Sequence, residues 1–96
     1  TENGCAVDEP DLESALHDVT RRDFFKDYLN ECRHAITAGV DLRGYFAWSL
    51  MDNFEWSWGY ERRFGIVRVD YETLERTPKL SAKWFSEVIE TNGISM

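Results

Sequence analysis

Cysteine, histidine and proline are scarce in this sequence, and two of those scarcities close off a class of chemistry. Cys5 and Cys32 are the two cysteines, with no C-x-x-C and no histidine at ligand spacing around them. Neither a disulfide framework nor a structural zinc site is written here. One disulfide between them is the alternative to the expected state, two free thiols, buried or half-buried. His17 and His34 are isolated and form no cluster. Positive charge is also in the minority, with 11 Lys and Arg against 18 Asp and Glu and a net charge of −7. That balance excludes the basic face needed to meet nucleic-acid phosphates and otherwise speaks only of solubility. No run approaches the ~20 apolar residues of a membrane span, so no membrane partner is expected. A starting methionine is missing too: the chain opens "TENG", and without a natural start it gives no reading of targeting. Localisation stays open.

What is present is a short chain rich in rings. Its 96 residues suit one small domain, and aromatics make up 15% of them. A domain this size buries only about two-thirds of its unfolded surface, so its margin of stability is thin. Residues 5–18, "CAVDEPDLESALHD", read as an exposed loop with a turn of helix at Leu12–Leu16. Phe25, Tyr28, Leu29, Cys32 and Ile36 then recur at three- and four-residue steps, predicting a helix over roughly 19–38. Asp18 or Thr20 is placed to cap its start, and Gly39 sits where a left-handed C-terminal residue is wanted. Tyr45–Trp48 is a short apolar run without polar alternation, the pattern of a strand buried on both faces in a parallel sheet. "IVRVDY" reads as a short extended segment. Thr77-Pro78 offers an N-cap and a first-turn proline for a second helix, whose stripe runs through Leu80 or Ser81, Trp84, Phe85, Val88 and Ile89. That helix ends near Asn92-Gly93.

The order is strand end, loop, helix, strand, long loop, helix. This is the βαβα grammar of an α/β protein with a parallel sheet and helices packed outside. Two such units leave the sheet open, so either partners or further chain must complete it. The absent start favours a piece of something larger.

Parallel α/β folds place their ligands just past the carboxyl ends of the strands. Thr1–Gly4 and Trp48–Trp56 occupy that position, and each contains a carboxylate, Glu2 and Glu55. Alone, either is an ordinary surface charge. Asn3-Gly4 would make a tight turn that ends the first strand and holds Glu2 at its rim. Glu55 lies between Phe54 and Trp56, with Trp48 seven residues earlier. Carboxylates among indoles suit a sugar: rings stack on the C–H face while the carboxylate accepts hydroxyl protons. The competing account packs the rings as scaffold and pairs Glu55 with Arg62 or Arg63. A third account makes Glu2 and Glu55 the acid and nucleophile of a glycosidase, which spacing permits and does not prove.

"TENG", then "WSLMDNFEW" with its Glu 53 positions after Glu2, then "GYERRFG", resembles the C-terminal part of a family 1 glycoside hydrolase of the bacterial β-glucosidase kind. The closing "VDYETLERTPKLSAKWF" extends the resemblance over essentially the whole chain. It implies that residues 1–96 are the C-terminal segment of a (β/α)8 TIM barrel: the end of strand seven, helix seven, strand eight and helix eight. It also implies retaining hydrolysis of β-glucosides, without cofactor or metal. By that resemblance Glu2 is the nucleophile and Trp48 the platform under the glycone. Glu55 and Trp56 hold glycone hydroxyls, and Phe64 lies at the edge of the same subsite. The family's acid/base belongs to an Asn-Glu-Pro motif that this sequence does not contain, so Glu55 is implied to bind rather than to act as the acid. Asp52 and Asn53 are expected to be structural. An intact, acidic "FEW" favours an unphosphorylated glycone.

The implied partners are a β-glycoside substrate and the remainder of the barrel. Alone, the chain is expected to be inactive. Two other accounts remain open. One is a non-catalytic sugar-binding protein on a degenerate barrel. The other is an isolated piece whose interest is partial-barrel folding and assembly.

Overall fold

A computed structural model describes residues 2–54, 59 and 62–93 of the chain. Strand β1 (Asn3–Gly4) is followed by helices α1 (Leu12–Leu16) and α2 (Val19–Thr37), and then by strand β2 (Ala47–Trp48). Strands β3 (Val67–Val69) and β4 (Arg76–Pro78) and helix α3 (Leu80–Thr91) complete the order. β1 and β2 pair in parallel, Asn3 opposite Ala47 and Gly4 opposite Trp48. A parallel pair needs a long crossover, and α2 supplies it.

The helices form where the spacing predicts. Among the described residues neither is long and apolar enough to cross a membrane. α2 buries Phe25 completely, and Gly39 follows its end with φ of +100°. α3 ends on Asn92, itself left-handed at φ of 52°. Phe25 meets Phe85 of α3 with ring centroids 5.9 Å apart, and both meet Tyr45 at 6.4 Å. These three rings join both helices to the segment before β2, each pair adding about 0.5–1.5 kcal/mol beyond its burial. Cys5 and Cys32 are free and half-buried, and burial pushes the Cys5 thiol pKa up.

Four expectations are corrected. The run Tyr45–Trp48 narrows to two strand residues and is not buried on both faces: Phe46 is 73% exposed and Trp48 41%. The helices pack against one side of β1–β2, and the other carries the exposed Phe46 and Trp48. Asn3-Gly4 is no turn but β1 itself, because its groups are taken by pairing. Asn3 N–H donates to the Phe46 carbonyl at 3.0 Å, and a Cβ at Gly4 would collide with the Trp48 carbonyl. Gly4 therefore serves close strand approach rather than bending.

Thr77-Pro78 does not start α3. Both residues lie in β4, an antiparallel partner of β3 in which Thr77 faces Arg68 and Pro78 faces Val67. Proline tolerates the edge of such a pair. The hairpin turns on Asp70, whose carboxylate accepts from Glu72 N–H at 2.9 Å and Thr73 N–H at 3.2 Å. Lys79 then occupies the N-cap of α3 with no capping bond of its own. Asp18, finally, stands at the N-cap of α2, yet its carboxylate caps no backbone N–H of that helix. Its carboxylate crosses to α3, accepting from Ser81 N–H at 2.8 Å and Ser81 Oγ at 2.6 Å. One carboxylate thus lies at two helix N-termini, where backbone dipoles favour negative charge.

Candidate active site

Strand alternation settles which side chains share a face. Asn3 Oδ1 accepts from the Tyr45 hydroxyl, and Tyr45 packs against Phe25 and Phe85 on the helices. Asn3 therefore faces the helices, and its neighbours Glu2 and Gly4 face the other side. Gly4 is in register with Trp48, so Glu2 and Trp48 belong to the same face, opposite the helices. Glu2 is exposed and precedes β1 by one residue, rather than lying beyond the end of a strand. A cavity of about 670 Å3 lies elsewhere, between Leu29, Cys32, Leu42, Tyr45 and Val88.

Phe64 is tied to Trp48 through the backbone. Its carbonyl accepts the Ser49 N–H at 3.1 Å, and Ile66 N–H returns to the Ser49 carbonyl at 2.9 Å. Phe64 itself is half-buried. The peptide between Trp48 and Ser49 is cis. Glu55 and Trp56 lie outside the described residues. Of the residues expected in the site, Glu2 precedes β1 and shares only the face of Trp48, whereas Trp48 and Phe64 meet at the carboxyl end of β2.

Beneath that end lies a chain of buried charges that the sequence reading did not find. Arg21 Nη1 donates to Asp18 at 2.7 Å and Arg21 Nη2 meets Glu9 at 2.6 Å. Glu9 Oε1 accepts from Lys79 Nζ at 3.1 Å, and Lys79 reaches Asp52 at 3.0 Å. Arg63 completes the series on Asp52 while lying 4.4 Å over the Tyr71 ring. Asp18, Arg21, Glu9, Lys79, Asp52 and Arg63 alternate in sign, and their charges cancel. Five of the six side chains are at most 1% exposed and Arg63 is 13%. Burial, then the Arg21 charge, pulls the Lys79 pKa down, while Asp52 and Glu9 oppose the shift. Arg21 also donates to the carbonyls of Arg63, at 2.7 Å, and Cys5, at 3.4 Å. The segment after β1 is thereby fastened to the segment after β2. Arg63 pairs with Asp52, and the alternative that pairs Glu55 with Arg62 or Arg63 falls on a residue outside the described ones. Asp18-x-x-Arg21, one helical turn apart, was the readable part of this network.

Burial, above all, pushes the Tyr45 pKa up to about 12. An unfolded tyrosine titrates near ~10, so the folded chain keeps this proton where the unfolded chain has lost it. The resulting stability is complete below the unfolded value and disappears as pH rises through the folded one. The phenolate absorbance of the protein minus that of its Tyr45→Phe variant should appear near pH 12. A difference centred near ~10, the unperturbed value, would mean that Tyr45 is not held against Asn3.

Residues 1–94 match the family model described as glycosyl hydrolase family 1. Beta-glucosidase 44 of Arabidopsis thaliana is 52% identical over 96 residues, covering 97% of this chain and 18% of its own length. A 6-phospho-beta-galactosidase of Staphylococcus aureus is 48% identical, covering 98% and 20%. Among solved structures, the β-glucosidase of Thermotoga maritima in complex with glucoimidazole superposes with a TM-score of 0.92 at 49% identity. It covers 99% of this chain and 22% of that one. The chain thus spans about a fifth of the length of the relatives it matches. Its mixed α/β architecture matches part of a TIM-barrel glycosidase.

Proposed function

The chain belongs to glycosyl hydrolase family 1, and from that premise we propose that it supplies the nucleophile and much of the glycone site of a retaining β-glucosidase. In this proposal residues 1–96 are the C-terminal part of the barrel, from the end of strand seven through helix eight. Glu2 is the nucleophile, Trp48 the ring beneath the glycone, and Phe64 the aromatic edge. Glu55 accepts from sugar hydroxyls, and the Trp56 indole donates to one. The observation that carries the proposal is the shared face: Glu2 and Trp48 project from β1–β2 on the side opposite the helices.

The chemistry follows from a carboxylate beside a bound pyranose. Glu2 attacks the anomeric carbon, and the bond from that carbon to the aglycone oxygen breaks. The departing oxygen takes its proton from an acid/base contributed by another part of the protein. Water, deprotonated by that same group, then displaces Glu2, and two inversions leave the configuration retained. A phosphate on the glycone would meet the Glu55 carboxylate and be repelled, which favours an unphosphorylated sugar.

Mass spectrometry of the full-length protein treated with a 2-deoxy-2-fluoro β-glucoside tests the assignment. Fluorine at that position slows the second step more than the first, so the adduct accumulates. The expected adduct lies on the peptide bearing Glu2. An adduct on any other carboxylate would overturn it.

A further inference from the structure

We infer that Asp52 is a positioning residue for two aromatic residues of the glycone site, Phe64 and Trp48. The inference rests on the site proposed above. Asp52 is 4% exposed, and each of its carboxylate oxygens accepts two hydrogen bonds. Oδ1 takes the Gly65 N–H at 3.1 Å and the Lys79 ammonium at 3.0 Å. Oδ2 takes the Val69 N–H at 3.2 Å and the Arg63 guanidinium.

Two of those four donors, Arg63 and Gly65, flank Phe64 in sequence. The carboxylate therefore fixes the chain on both sides of that ring. The Phe64 carbonyl holds the Ser49 N–H, and Ser49 follows Trp48, so the grip extends to the second ring. Asp52 is anchored in turn by its own N–H, which donates to the Val67 carbonyl at 3.1 Å. Gly65 permits the close approach: a Cβ there would collide with the Asp52 nitrogen and the Met51 carbonyl carbon. The same bonds close the base of the segment that carries Glu55 and Trp56 in the sequence.

Only a group that accepts everywhere satisfies this arrangement. Asparagine in either orientation would turn its NH2 against two donors, the Gly65–Lys79 pair or the Arg63–Val69 pair. Holding a sugar for attack needs rings placed to a fraction of an ångström, and side chains reach that only when their supports are fixed.

The competing account makes Asp52 a stabiliser alone, and a double-mutant cycle separates the two. Asp52→Asn, Phe64→Leu and the double variant are made in the full-length protein. Glucoimidazole affinity is then measured at a temperature where circular dichroism shows each variant folded. Asp52→Asn should weaken binding on the order of 10- to 100-fold, as ångström-scale misplacement does. The double variant should bind no more weakly than the weaker single variant, because both changes disable the same ring. Arg63→Lys keeps the charge but replaces the planar guanidinium, whose Nη1 serves both Asp52 and the Val69 carbonyl, with a flexible ammonium of different reach. It should give a smaller loss with the same coupling, and it carries the test if Asp52→Asn does not accumulate. Unchanged affinity in folded Asp52→Asn, or losses that multiply independently, would overturn the inference. Phe64→Leu without effect would overturn the proposed site and the inference with it.

Discussion

Replacing Glu2 by glycine in the full-length protein is expected to abolish β-glucoside hydrolysis, and added azide or formate to restore part of it. Loss of a nucleophile removes the covalent route altogether, and kcat should fall by roughly four to six powers of ten. In barrier terms that is about 5–8 kcal/mol. Glycine leaves room where the carboxylate stood. A small anion entering that room can attack the anomeric carbon from the same side, expelling the aglycone. Azide would then be captured as a glycosyl azide of inverted configuration, identifiable by NMR. A solvated surface carboxylate would behave otherwise: activity would change a few-fold at most, and azide would do nothing. That second outcome would remove Glu2 from the catalytic centre.

The second large effect concerns stability. Arg21 is completely buried and serves Asp18, Glu9 and two backbone carbonyls at once. Arg21→Met leaves buried Asp18 without its cation and Glu9 with Lys79 alone, a surplus of one negative charge. Breaking a buried ion pair from one side costs about 3–5 kcal/mol, and the variant should lose that much in urea unfolding. The midpoint should move with the slope unchanged. Adding Glu9→Gln to Arg21→Met restores neutrality to the network and should recover part of the loss. Such recovery distinguishes charge imbalance from a mere packing defect, which a second change would deepen. A cost below about 1 kcal/mol for Arg21→Met would mean that the network contributes no more than exposed pairs do.

Much of the scaffold was legible from local pattern. The stripe from Phe25 to Ile36 forecast α2, and Gly39 and Asn92 marked the helix ends, because each is decided by residues a turn or two away. What escaped was non-local. Asp18 reads as the cap of its own helix, and nothing nearby discloses that its partner is Ser81, 63 positions on. Thr77-Pro78 reads as a helix start until one knows that Val67–Val69 lies beside it to claim it as a strand. Asn3-Gly4 has the chemistry of a turn, and only the nearness of Trp48 makes that glycine a strand residue. The Asp70 turn was readable in principle, since an aspartate followed by free N–H groups is a common local device. Within the proposed site, Glu2, Trp48 and Phe64 came from motif resemblance, while the buried charges from Asp18 to Arg63 required knowing the fold.

The reach of Asp18 to Ser81 also bears on the order in which this chain takes shape. Closing so long a loop costs about 3–4 kcal/mol in chain entropy before any contact is made. The first turn of α3 therefore has no reason to persist until α2 stands ready to receive it. Vectorial synthesis delivers them in that order, Asp18 emerging well before Ser81. The two helices then gain and lose their ends as one cooperative unit, so a disturbance at the start of α2 will be felt first at the start of α3.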